Sequence, residues 1–202
     1  MSLKDIKIKY IVDVAADMFS KRGVRDVTIH DIAKEAGIGE ATVYRYFLKK
    51  QNIVLASALY LKEKVFTGYF DLSKGKTGFE KLEIFYNSYL SVFNEKPRYF
   101  YFINEFDAYM CMEEGVSLDQ YEKEVDTFKI KFEEAYQLGL KDGSVKKVDD
   151  IETFYFSSTH ALLELCKKLS VDQAILKQDK NAKKSAEIHY LIKMILDSLR
   201  AC

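Results

Sequence analysis

The side chains with the clearest chemical potential form a short run of hydroxyls and cations near the N-terminus. Hydroxyl, guanidinium and ammonium groups donate hydrogen bonds to phosphate oxygens and set the register of a protein on a nucleic acid duplex. The same run also fits an ordinary solvated helix end, because a helix C-terminus favours cations. The run consists of Tyr44, Arg45, Tyr46, Lys49 and Lys50.

The elements that must position this run are two short helices within residues 28–47. Thr28 can cap the first helix, with Asp31 completing a capping box. Apolar residues follow at helical spacing, and Gly37 supplies a residue suited to the left-handed conformation that ends a helix. A second helix is predicted from Glu40 to Phe47. Two helices joined by so short a turn form a helix-turn-helix, whose second helix can enter a major groove.

Base contacts are expected from the N-terminal turn of this second helix and from Arg45 one turn later. Arg45 could contact a guanine with two hydrogen bonds or sit on a phosphate, and the sequence favours neither. Glu40 suits the helix dipole but repels phosphate, so it either accepts from a cytosine amino group or faces away. Phe47 is expected in the core. The predicted DNA-binding set is Thr28, His30, Gly39, Glu40, Ala41, Thr42, Tyr44, Arg45, Tyr46, Lys49 and Lys50.

This N-terminal pattern resembles the tetracycline-repressor (TetR) family of bacterial transcription regulators. The resemblance covers about the first quarter of the chain, and it implies that Thr42, Tyr44 and Lys50 contact DNA. The chain departs from the family at Gly39, where a Ser or Thr is usual, and at Glu40, where many relatives are neutral or basic. The matching residues are Gly23, Thr28, Ile32, Ala33, Ala36, Gly37, Thr42, Val43, Tyr44, Tyr46, Phe47 and Lys50.

Composition predicts an all-α protein of about nine helices. The 202 residues include one proline and nine glycines, too few for many tight turns between strands. Net charge is zero, but residues 1–50 carry ten basic and seven acidic side chains, whereas residues 51–202 carry 21 and 24. We therefore predict a basic helix-turn-helix domain over residues 1–50 and a larger helical domain over residues 51–202, with residues 52–70 as the connecting helix.

The larger domain is unusually rich in aromatic residues, since the chain holds 14 Tyr and 14 Phe. Each ring taken singly is expected in the core, but so many hydroxyl-bearing rings are typical of an apolar ligand cavity with a few polar anchors. His160 is either a core histidine or such an anchor. Members of the resembled family commonly bind small molecules here, so we expect an apolar or aromatic effector. The candidate ligand-binding residues are Tyr86, Tyr89, Phe93, Phe102, Phe106, Tyr109, Phe128, Phe132, Phe154 and His160.

The last two predicted helices are the candidate dimer interface. Four apolar residues of the final helix recur at steps of four and three, and the preceding helix is apolar around most of its surface. The alternative is that both are internal core helices. In the resembled family these helices pair with their copies, which implies a homodimer with two recognition helices about 34–36 Å apart over a palindrome. The candidate interface residues are Phe156, Leu163, Ile188, Ile192, Ile195 and Leu199.

The sequence predicts no catalytic residues, no cofactor and no metal site, because its three histidines and three cysteines are scattered and no nucleotide-binding motif is present. We also expect a cytoplasmic protein without a membrane span. These observations favour a repressor that a small-molecule effector releases from a palindromic operator. Two alternatives stay open: an architectural or cell-division DNA-binding protein without a ligand, and an enzyme that uses the C-terminal cavity.

Overall fold

The computed structural model describes residues 2–171 and 183–201. Among them the secondary structure is helical apart from one isolated β-bridge between Val145 and Arg200, which confirms the predicted all-α class with about nine helices. A short 3-10 turn spans Leu72–Lys74. The α-helices are α1 (Leu3–Arg22), α2 (Ile29–Glu35), α3 (Glu40–Phe47), α4 (Lys50–Tyr69), α5 (Gly78–Glu95), α6 (Pro97–Met110), α7 (Asp119–Asp142), α8 (Ile151–Ser170) and α9 (Lys184–Leu199).

The chain divides into two compact units. The N-terminal unit comprises the residues up to Lys64 together with Tyr101–Glu124, and the C-terminal unit comprises Val65–Phe100 and the residues from Val125 onward. The N-terminal unit therefore contains more of the chain than the helix-turn-helix. This division does not test where the DNA-binding part ends, and the boundary at residue 50 is still a prediction.

The core of the N-terminal unit forms where α1 meets the short helices and the second part of α6. Phe19 of α1 is fully buried, and its ring stacks on Phe102 of α6 with the centroids 6.4 Å apart. The buried face of α1 begins at Ile11, whereas Ile6 and Tyr10 are 47% and 50% exposed. The first two turns of α1 therefore extend beyond the buried core.

The predicted dimer seam on α9 is buried within its own unit. Ile188 and Leu199 are fully buried, and Ile192 and Ile195 are 1% and 8% exposed, all within the core cluster of the C-terminal unit. These four residues therefore cannot form the surface on which a second copy docks, and the prediction needs correction. Apolar residues at steps of four and three indicate that one face of a helix is buried, but they do not indicate whether the same chain or a second copy covers it. Phe156 and Leu163 of α8 stay at least partly accessible.

Candidate nucleic-acid interface

Local hydrogen bonds define the helix-turn-helix as predicted. The Thr28 hydroxyl oxygen accepts from the Asp31 backbone N–H at 3.1 Å, and the Asp31 carboxylate accepts from the Thr28 N–H at 2.9 Å. These bonds, the backbone N–H of Thr28 foremost, hold the pKa of Asp31 below its usual value. Gly37 has a φ of +65°, which permits the turn after α2. The capping box and the glycine turn are both confirmed.

Helix α3 is anchored on one side and open on the other. Val43 and Phe47 are buried against the rest of the N-terminal unit, as the sequence predicted for Phe47. Ala41, Tyr44 and Arg45 are exposed on the opposite side of the helix. Thr42 and Tyr46 are partly exposed, and within the described part of the chain no side chain caps the helix at Gly39. The arrangement presents a short helix with hydroxyl and guanidinium groups to its surroundings.

A side-chain hydrogen bond joins the two helices of the motif. His30 Nδ1 of α2 lies 2.6 Å from Glu40 Oε1 of α3, and both side chains are largely accessible. Glu40 therefore has a protein partner at the start of α3, which sequence analysis did not identify. The two residues are ten positions apart and lie on different helices, so helical spacing in the sequence does not predict their contact. Only the packing of α2 on α3 brings the two side chains together.

The basic side chains predicted to contact phosphate differ in their accessibility. Arg45 is exposed, and its guanidinium lies 5.1 Å from the Tyr46 ring centroid. Lys50 is half-buried, donates from Nζ to the Arg25 carbonyl oxygen at 3.3 Å, and lies 5.2 Å from the ring centroid of Tyr109. Burial lowers the pKa of the Lys50 ammonium even though carboxylates nearby oppose this shift.

The candidate ligand-binding aromatic residues fall into different units. Phe102, Phe106 and Tyr109 belong to the N-terminal unit, where the Phe106 ring packs 4.9 Å from that of Tyr121. His160 is exposed on α8, beside Phe156, rather than among the buried rings. The structure thus does not bring all ten candidates together. Those in the C-terminal unit are Tyr86, Tyr89, Phe93, Phe128, Phe132 and Phe154, together with the exposed His160.

The C-terminal unit holds an aromatic cluster with a polar centre. Tyr86 and Phe132 lie in the buried core with their ring centroids 6.2 Å apart, edge to face. The Tyr86 hydroxyl shares a buried hydrogen bond of 2.8 Å with the Ser158 hydroxyl, and burial raises the pKa of Tyr86. Phe70 and Phe85 also belong to this cluster, with centroids 5.5 Å apart. These two rings and Ser158 were not among the predicted ligand-binding residues, although Ser158 lies at helical spacing from the buried Tyr155 and Leu162 of α8.

Fold and motif define this chain as an all-α protein with an N-terminal helix-turn-helix. Residues 11–57 match the model of "Bacterial regulatory proteins, tetR family". Within this N-terminal segment the chain matches the TetR family.

Among curated proteins, the chain is similar to the fatty acid metabolism regulator protein of Bacillus subtilis (strain 168). The two are 30% identical over 98 residues, which cover 46% of this chain and 48% of that protein. The matched segment thus spans about half the length of the relative.

None of the helices in residues 2–171 and 183–201 is long and apolar enough to span a membrane.

Two solved structures share the fold over nearly the whole chain. A transcriptional regulator from Saccharomonospora viridis in complex with choline has a TM-score of 0.75 and 18% identity, with 98% of this chain and 100% of that chain covered. FadR from Bacillus subtilis in complex with stearoyl-CoA has a TM-score of 0.71 and 16% identity, with 94% and 98% covered. At such identities the similarity establishes the fold alone.

Proposed function

We propose that this chain is a transcriptional regulator that binds double-stranded DNA through α3. The observation that carries the proposal is the exposed face of α3, on which Arg45 and Tyr44 project from a helix anchored by Val43 and Phe47. A short helix held in this way can lie in a major groove, with hydroxyls and cations at the backbone phosphates. The match of residues 11–57 to the TetR family model supports the same conclusion.

A homodimer on a palindromic operator is part of this proposal. A two-fold dimer matches the symmetry of a palindrome and doubles the contacts of one short helix. In place of the buried α9 seam, the candidate contact surface comprises the exposed apolar residues Phe156 of α8 and Tyr190 and Met194 of α9.

We further propose that a small apolar or aromatic effector releases the protein from DNA. Support comes from the aromatic cluster around Tyr86 and Ser158 and from two fold relatives whose structures hold stearoyl-CoA and choline. Release requires that the effector bind the DNA-free conformation better, by about 1–3 kcal/mol in typical allosteric coupling. Repression follows if the operator overlaps a promoter.

The direct test is a genome-wide footprint, followed by mobility-shift titrations on the recovered site with and without stearoyl-CoA or choline. We expect Arg45→Ala to weaken binding, by about 1–3 kcal/mol if the side chain contacts a guanine. Arg98→Ala removes the same charge from an exposed position of the C-terminal unit and serves as the control. A purified protein that binds no duplex at low salt would contradict DNA binding. A site bound equally well with every effector tested would favour the architectural alternative.

A further inference from the structure

A cleft lies between α1, the middle of α4 and the first turns of α7. It has a volume of about 500 Å³, which is within the range of small-molecule sites in proteins. The residues that line it belong to the N-terminal unit, whereas the aromatic cluster around Tyr86 belongs to the C-terminal unit. The cleft is therefore separate from the cluster proposed for the effector.

Part of the cleft is apolar. Val12 of α1 is buried, and Ile8 of α1 and Leu59 of α4 are partly buried. Tyr60 of α4 also lines the cleft, and its hydroxyl donates a hydrogen bond to the Asp13 carboxylate. Because that hydroxyl already has a partner, Tyr60 contributes to the cleft chiefly through its ring. An apolar chain placed here would lose contact with water, which favours its binding.

The charged residues around the cleft are mostly acidic. The carboxylates of Asp5, Glu63 and Glu124 line it together with one ammonium group, that of Lys9. Glu124 also lies 3.6 Å from the ammonium of the buried Lys62. Even when Lys62 is counted, carboxylates outnumber ammonium groups by three to two. An excess of negative charge beside an apolar surface favours a ligand with positive charge.

An ammonium group of the protein itself already interacts with the aromatic residue of the cleft. Lys64 Nζ lies 4.2 Å from the ring centroid of Tyr60 and 3.4 Å from Asp13 Oδ1. An ammonium over an aromatic ring is also the arrangement with which proteins recognise quaternary ammonium ligands. The surroundings of Tyr60 therefore stabilise a positively charged group.

We propose that this cleft binds a small organic cation with a short apolar chain, such as an alkylammonium compound. Ile8, Val12 and Leu59 bury the chain, and the surrounding carboxylates attract the charged group. The bound molecule contacts α1, α4 and α7 at the same time. The proposal depends neither on DNA binding nor on an effector in the C-terminal unit.

Hexyltrimethylammonium is a suitable probe, and hexanesulfonate has the same chain with the opposite charge. We expect isothermal titration calorimetry to show saturable binding of the cation in the millimolar range or tighter, and weaker binding of the anion. Equal affinity for both compounds would overturn the inference from charge. The absence of saturable cation binding in this range would overturn the site.

Variants of Glu63 test whether the lining carboxylates select the cation. Glu63→Gln should weaken cation binding about two- to fivefold, the range of one exposed charge interaction. Glu122→Gln removes the same charge from an exposed position of α7 outside the lining and should have a smaller effect. Glu63→Lys leaves two carboxylates against three ammonium groups, so it should shift the preference towards hexanesulfonate. Equal effects of Glu63→Gln and Glu122→Gln, with an unchanged preference in Glu63→Lys, would contradict the proposal.

Methyl NMR of protein labelled at isoleucine Cδ1 locates the bound cation. We expect the Ile8 resonance to shift during the titration, whereas that of Ile188, in the buried core of the C-terminal unit, remains unchanged. A shift of Ile188 with Ile8 unaltered would place the molecule in the C-terminal unit and overturn the proposal. None of these measurements includes DNA, so their failure would leave the proposed DNA binding intact, and a protein that binds no duplex could still show this site.

Discussion

At the scale of single residues, the contact with His30 fixes the position of the Glu40 carboxylate at the start of α3. Glu40 lies in the first turn of the helix, where a carboxylate is stabilised by the helix dipole, and its Oε1 is 2.6 Å from His30 Nδ1. Both side chains are accessible beside the exposed face of α3. The pair restrains a carboxylate that would otherwise be free to meet a base edge or a phosphate.

We predict that Glu40→Gln increases affinity for duplexes of arbitrary sequence, because it removes a negative charge from the candidate DNA-binding face. Fluorescence anisotropy with a random duplex, at low and at moderate salt, measures the change, which should shrink as salt screens the charge. Glu35→Gln of α2 is an equivalent charge removal at an exposed position. If Glu40 reads a cytosine, the variant will instead lose about 1–3 kcal/mol at one base pair of the operator and gain nothing on random DNA.

At the scale of elements, α5 begins where its backbone touches that of α7. A methyl group on Gly78 would meet the backbone N and Cα of Gly139 and come within 2.5 Å of the Ala135 carbonyl oxygen. The Gly78 N–H donates to the Asp142 carboxylate at 2.8 Å, which ties the same helix start to the end of α7. Because backbone atoms cannot move aside as a flexible side chain can, the crossing of these two helices depends on glycine.

We predict that Gly78→Ala destabilises the protein by about 1–3 kcal/mol or more, as overpacking against a rigid neighbour does. For a chain of this size each kcal/mol lowers Tm by about 2–4 °C, which circular dichroism melting would resolve. Gly68→Ala in α4 is the control, since a methyl group there meets nothing within 4 Å. That variant should match or exceed the wild type, because alanine is favoured over glycine in helices by roughly 0.5–1 kcal/mol. Equal melting of Gly78→Ala and the wild type would contradict the close backbone contact.

At the scale of the whole molecule, the exposed apolar residues of α8 and α9 indicate the surface available to a second copy. Tyr190 and Met194 lie one turn apart on α9 and are 66% and 58% exposed, and Phe156 of α8 is 40% exposed. Their neighbours at positions 188, 192, 195 and 199 are buried in the unit itself. On α9, Tyr190 and Met194 are thus apolar side chains that remain accessible to a second copy.

We predict that the wild type sediments as a dimer at micromolar concentration and that Tyr190→Glu combined with Met194→Glu shifts it to monomer. Burying two carboxylates in an apolar contact is costly, whereas the monomer keeps them in water. Met112→Glu changes an exposed apolar residue of the N-terminal unit and should leave the dimer intact. A monomeric wild type, or a dimer that tolerates both charges, would exclude this surface.

Local features of the structure could be predicted from the sequence. The Thr28–Asp31 capping box, the turn at Gly37 and the bounds of α3 all agree with the prediction, because each depends on interactions within about four residues of the chain. The helical class, predicted from the low content of proline and glycine, also agrees with the structure. From apolar spacing we predict that the final helix begins at Ala182, which lies outside the described residues, as does Cys202.

Only the tertiary structure decided which distant residues these side chains and helix faces contact. His30 contacts Glu40 across the turn, and the Gln51 side-chain amide donates a hydrogen bond to Glu113, 62 residues later in the chain. The apolar seam of α9 faces its own core, and Phe102 packs on α1 rather than with Tyr86. Periodicity specifies that a face is buried or that a charge is exposed. It carries no information about which distant element supplies the neighbour, because that depends on how helices far apart in sequence pack together.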